Sequence, residues 1–101
     1  MSINVTNAKE SCVTITLSER FDFGLVESFR EIYEGLVLEP NSQIIIDFLE
    51  TKYMDSSALG MLINAQTYFV GNDVKIVLTN CNIQIKKILS ISRFDKKFTI
   101  L

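Results

Sequence analysis

Residues 43–49 read QIIIDFL, a nearly continuous β-branched and aromatic run. A run of that length between turn signals is the pattern of a strand in a parallel sheet, covered on both faces. Parallel strands cannot be joined by a tight turn; each needs a crossover of a dozen or more residues, usually a helix. The flanking segments supply such crossovers. From Phe23 to Val37 the apolar residues Leu25, Val26, Phe29, Ile32, Tyr33, Leu36 and Val37 recur at threes and fours, the period of an amphipathic helix, and Gly35 and Pro40 bracket its end. A second helix is expected from Ser56 to Val70, after which GND turns the chain into the strand VKIVLT. IQIKKILSI reads as a third helix with Ile85, Ile88 and Leu89 inward, and KFTIL as a short closing strand. Toward the N-terminus, INVTN and SCVTITLS alternate apolar and polar at period two, as half-buried strands do.

Strands separated by helices imply βαβ units. The expected architecture is α/β, a mixed sheet of about five strands with helices packed on it. Residues 1–101 form one domain, a length that can bury most of its apolar surface without staples. No linker, repeat or low-complexity segment interrupts it.

Composition narrows the chemistry. The chain has no histidine, and Cys12 and Cys81 form no CxxC pair, so the common zinc sites and Ser-His-Asp catalysis lack their ligands and base. The thiols read as buried and free, with a disulfide between them as the alternative. No metal, no cofactor and no enzymatic activity are expected. Residues 1–50 carry nine acids against three bases, and residues 51–101 three acids against seven bases. With a pI near 5.0 the basic half reads as solvated surface, not a nucleic-acid patch. No apolar run reaches the ~20 residues that span a bilayer, and MSINVTNAKE lacks the apolar core of a signal peptide. A cytoplasmic protein that neither inserts into membranes nor binds nucleic acid directly is expected.

The stretch KYMDSSALGMLI, residues 52–63, carries the functional signal. Asp and Ser are favoured at helix N-caps, where their oxygens satisfy free backbone N–H groups. At ~100° per residue, Ala58, Leu59, Met61, Leu62, Ala65, Tyr68 and Phe69 spread over an inward arc. Ser56, Ser57, Gly60, Asn64 and Thr67 share the remaining face. That face is small and uncharged where solvated helix faces carry Glu and Lys, the composition of a surface kept clear for another molecule. Gly60 also permits the alternative of close packing on a neighbouring element. A phosphate on a serine at the helix start would be tolerated by the helix dipole, yet its ~−1.5 to −2 charge would fall beside Asp55 and obstruct a docked partner.

IIIDFLETKYMDSSALGMLI resembles the signature of the STAS domain, named for sulfate transporters and anti-sigma factor antagonists, in which an apolar strand is followed by M-D-S-S-G-L-G and a helix. SERFDF stands where that family has a Gly-x-(Leu/Phe)-Asp turn, VGNDVKIVLTN where it has a Gly-rich turn and strand, and ILSISRFDKKFTI resembles its closing segment. Ser18 and Ala58 stand where the family has glycines, and the chain stops at Leu101 without room for the family's final helix, expected here to be short or absent.

The resemblance implies an anti-sigma factor antagonist that works by partner switching, with Ser56 as phosphoacceptor. An anti-sigma-factor-like serine kinase would add the phosphate, a PP2C-type phosphatase would remove it, and the unmodified form would bind the target. Asp55 would orient the Ser56 hydroxyl or contact the kinase, Asp22 would lie near the same surface, and Ser57 would serve the cap and first-turn packing. Two other readings stay open. One is a non-phosphorylated STAS scaffold subunit of a transport ATPase or transporter complex; the other is a receiver-type phosphoacceptor at Asp47 or Asp55, disfavoured because the first strands lack an acidic pair.

Overall fold

The computed structural model describes residues 3–9 and 11–101. Its elements alternate as the periodicities demand: β1 (Asn4–Lys9), β2 (Cys12–Thr16), β3 (Arg20–Phe21), α1 (Val26–Glu34), β4 (Gln43–Asp47), β5 (Tyr53–Met54), α2 (Ser56–Phe69), β6 (Lys75–Thr79), α3 (Ile83–Ile91) and β7 (Thr99–Ile100). Five strands form one mixed sheet in the order β1-β2-β4-β6-β7. β1 runs antiparallel to β2, and the three remaining pairings are parallel, each bridged by one α-helix. This is the expected α/β architecture.

The register explains the core. Val13, Ile44 and Ile76 stand side by side, as do Ile15, Ile46 and Leu78, and all six are buried with Phe29, Leu62, Ala65, Phe69, Ile85 and Leu89 in one cluster. Alternate residues therefore serve the helix-covered face. An edge-to-face aromatic series ties the layers: Phe21 lies 5.2 Å from Phe29, Phe29 5.4 Å from Tyr33, and Tyr33 6.0 Å from Phe69 between ring centroids. Each such pair adds roughly 0.5–1.5 kcal/mol beyond area burial.

Several local expectations are corrected. β4 is not buried on both faces; it alternates, with Ile45 half-buried in the row Thr14–Ile45–Val77–Thr99, on the side away from the main cluster. The first helix is shorter than Phe23–Val37, because residues 23–25 form a 3₁₀ turn and the α-helix ends at Glu34 with Gly35 as C-cap. Val37 is accordingly 98% exposed. Ile88 and Leu59 are half-buried, and Tyr68 keeps 45% of its surface while its ring meets Tyr33 edge-on. The GND segment does turn the chain into β6, with Asp73 in the left-handed region at φ 56°. Asp is among the few non-glycine residues that tolerate this conformation. Both cysteines are free, Cys81 buried and Cys12 half-buried.

Candidate functional site

Sequence periodicity did not anticipate β3 and β5, two residues each, which pair in parallel as a separate small sheet with Arg20 beside Tyr53 and Phe21 beside Met54. Strands this short have no period to read. They are held in place by their connections. The buried Thr51 donates its hydroxyl to the Ser18 carbonyl at 2.9 Å, and the amides of Lys52 and Tyr53 both donate to the Glu19 carbonyl at 2.8 and 3.1 Å. Ser18, standing where the family motif has glycine, donates its hydroxyl to the Arg20 carbonyl at 3.0 Å.

This pairing delivers Asp22 and Asp55 to the same sheet end, each starting a helical segment. Asp55 is the N-cap of α2, extended at φ −106°, and its Oδ1 accepts from the Ala58 amide at 3.1 Å. Its Oδ2 accepts from the Phe23 amide at 3.3 Å. Asp22 caps the 3₁₀ turn, Oδ1 accepting from the Gly24 amide at 3.0 Å, while Arg20 Nε donates to Oδ2 at 3.2 Å. The Arg20 guanidinium also lies 4.2 Å from the centre of the Tyr53 ring. Two carboxylates thus hold two consecutive amides of the Phe23–Leu25 turn. The cap of α2 belongs to Asp55, so capping does not require either serine. Ser56, the first helical residue, is exposed, and Ser57 is half-buried.

Behind Ser56 runs one exposed stripe. Gly60, Asn64 and Thr67 are all exposed, while Ala58, Met61, Leu62, Ala65 and Phe69 face the core. Among the described residues a Cβ at Gly60 would meet nothing within 4 Å, so none of their elements requires this glycine by close approach. Ile63, which flanks the stripe, was not placed by the sequence reading; it is half-buried against the core. On the other flank a depression of about 40 Å³ lies between the helices, lined by Val26, Phe29, Arg30, Tyr33, Met61 and Asn64. The residue most clearly missed is Phe23, 72% exposed beside the Asp55 cap. The sequence marks it only as the start of the expected helix, outside the inward-facing apolar set, and the 3₁₀ turn leaves it in solvent.

Asp47 closes β4, where its Oδ1 accepts from the Leu49 amide at 3.0 Å and from Asn80 Nδ2 at 2.9 Å. That engagement is the work of a strand-end residue. Among the described residues no helix is long and apolar enough to cross a membrane.

Parallel strands β2, β4, β6 and β7 in sequential order, joined by helices, and an aspartate-capped helix that opens on two serines define a small α/β domain. The chain belongs to the STAS domain family, whose model matches residues 4–101. A STAS-domain containing protein of Pseudomonas aeruginosa (strain UCBPP-PA14) is 40% identical over 88 residues, covering 87% of this chain and 86% of the relative. Among solved structures, the anti-sigma factor antagonist SpoIIAA in its unphosphorylated form superimposes with a TM-score of 0.75 at 21% identity, over 99% of this chain and 87% of that one. An anti-sigma-factor antagonist (STAS) domain protein from Planctomyces limnophilus gives 0.81 at 14% identity, over 97% and 87%. The phosphorylated form of the Bacillus cell fate determinant SpoIIAA gives 0.74 at 20%, over 99% and 91%.

Proposed function

We propose that this protein is a non-enzymatic, cytoplasmic partner-switching regulator in which Ser56 is the phosphoacceptor. The unmodified protein binds an anti-sigma-factor-like serine kinase across Ser56, Gly60, Asn64 and Thr67, with Asp22, Asp55 and Ser57 at its rim. Phosphorylation by that kinase blocks the docking, and a PP2C-type phosphatase restores it.

The observation that carries this reading is the exposed hydroxyl of Ser56 at the head of an uncharged stripe whose glycine no packing neighbour among the described residues requires. Two physical features support it. The helix start offers unpaired N–H groups and the positive end of the dipole to a phosphate, so the monomer tolerates the modification. A partner laid on the stripe finds no charge there, and a dianion introduced at its edge, beside Asp55, would be desolvated without compensation. The existence of SpoIIAA in unphosphorylated and phosphorylated forms supports the same logic by analogy.

Incubation with the kinase and ATP, followed by mapping of the modified residue, tests it. Acid-stable phosphate on Ser56 with loss of kinase binding is the expected result. Acid-labile phosphate on Asp47 or Asp55 would point to a receiver, and absence of label would point to a scaffold subunit of a transport complex.

A further inference from the structure

Among the described residues ten large apolar side chains are exposed, and Phe23 is the only aromatic of these with more than half its surface in solvent, at 72% against 44% for Tyr53 and 45% for Tyr68. Its environment is unlike that of a loose loop residue. The Phe23 amide donates to Asp55 Oδ2, the Gly24 amide to Asp22 Oδ1, and the Leu25 amide to the Asp22 carbonyl at 2.9 Å. Leu25 is itself buried in the core, 4% exposed. The backbone beneath the exposed ring is therefore fixed by three consecutive amide bonds and an apolar anchor.

Resting on the partner-switching reading above, we infer that Phe23 is the aromatic anchor of the kinase interface, inserting its ring into an apolar pocket of the partner beside Ser56. Three observations favour that occupant. A rigidly presented aromatic ring loses little freedom on docking, which is how a few aromatic residues come to dominate interfaces. The backbone that carries the ring adjoins the head of the Ser56 stripe, because the carboxylate that caps α2 also holds the Phe23 amide. A surface depression of about 320 Å³, lined by Gly24, Val26, Glu27 and Ser28, opens beside the ring and can receive the wall of such a pocket. The exposed side of α1 continues with Glu27, Glu31 and Glu34 against the single base Arg30, so the partner's pocket carries a basic rim. Electrostatic complementarity of this kind sets register and partner choice more than raw affinity.

The test is a titration of the purified kinase that labels Ser56 with four forms of this protein, wild type, Phe23→Ala, Phe23→Leu and Val37→Ala, alongside Ser56→Glu as the reference for the switch. Val37 is 98% exposed at the opposite end of α1 and serves as the control. Melting curves of all four should coincide, since the Phe23 amide bond does not depend on its side chain. Phe23→Ala should bind at least tenfold more weakly, Phe23→Leu should recover part of the loss, and Val37→Ala should bind like wild type. Affinity of Phe23→Ala within twofold of wild type, while Ser56→Glu is weakened, would overturn the anchor and leave the switch standing. Failure of the kinase to bind or label the wild type would overturn the switch and the anchor with it.

Discussion

One carboxylate of Asp55 caps its own helix through Ala58 and reaches 32 residues back along the chain to the amide of Phe23. Asp55 is therefore the joint between the two segments that carry the candidate interface. A residue read as a contact to a kinase or an orienter of Ser56 has, first of all, this structural work.

That joint predicts an asymmetry between two substitutions. Asp55→Ala removes both acceptors and should cost about 1–3 kcal/mol, combining a cap loss with a second hydrogen bond. In a domain of this size each 1 kcal/mol lowers the melting temperature by roughly 4–8 °C. Asp55→Asn keeps one acceptor oxygen and should lose less than half as much. Equal losses in calorimetry would show that the retained cap oxygen contributes nothing, and an Asp55→Asn variant as stable as wild type would show the same of the Phe23 bond.

Because Asp55 and not Ser56 is the cap, Ser56→Ala should melt within about 0.5 kcal/mol of wild type, the range of ordinary surface changes, and should stay permanently competent to bind. Thermal denaturation and a binding titration with the kinase and ATP present check the two halves. A variant that is folded yet inactive would contradict the switch.

Ser56→Glu places about one charge at the same helix start, where the dipole offsets it in the monomer. Its melting curve should remain near-native while binding falls at least tenfold, a change of about 1.4 kcal/mol or more. Equal affinities for wild type and Ser56→Glu would refute the electrostatic account of switching.

The open space at Gly60 allows a two-way test of the stripe. Gly60→Ala should raise stability by up to ~1 kcal/mol through helix propensity, and Gly60→Glu should fold normally but fail to bind. Unchanged binding of Gly60→Glu would remove this face from the interface.

Cys81 offers a pH prediction. Burial pushes its thiol up to about 11, with the Asp47 carboxylate adding to the rise and Lys86 opposing it. A raised thiol pKa means that the unfolded chain loses this proton first as pH climbs, so the contribution to stability is complete below about 9 and is lost between about 9 and 11. Cys81→Ser should flatten that part of the stability profile. At neutral pH an alkylating reagent should modify Cys81 only on unfolding, read by mass spectrometry of the native and denatured protein.

Much of this molecule is legible in the order of its residues. The threes and fours of α2 and the alternation in β2 determine which side chains are buried, since a helix or a strand repeats at its own period whatever surrounds it. QIIIDFL, VKIVLT and the helical segments between them likewise determine a parallel sheet with crossovers, because no short turn can join such strands. Ser56, Gly60, Asn64 and Thr67 fall on one stripe for the same reason. The family motif was readable as a string. Other features had no local cause. β3 and β5 have no period to detect, and the bonds that join their segments, from the Thr51 hydroxyl to Ser18 and from the Lys52 and Tyr53 amides to Glu19, link residues more than 30 apart in sequence. The identity of the cap was ambiguous among Asp55, Ser56 and Ser57, all of which have cap-forming oxygens; the backbone path set by that pairing chose Asp55. The outward turn of Phe23 and the bond from its amide to Asp55 likewise depend on contacts between residues far apart in sequence, and such contacts are decided only when the chain is folded.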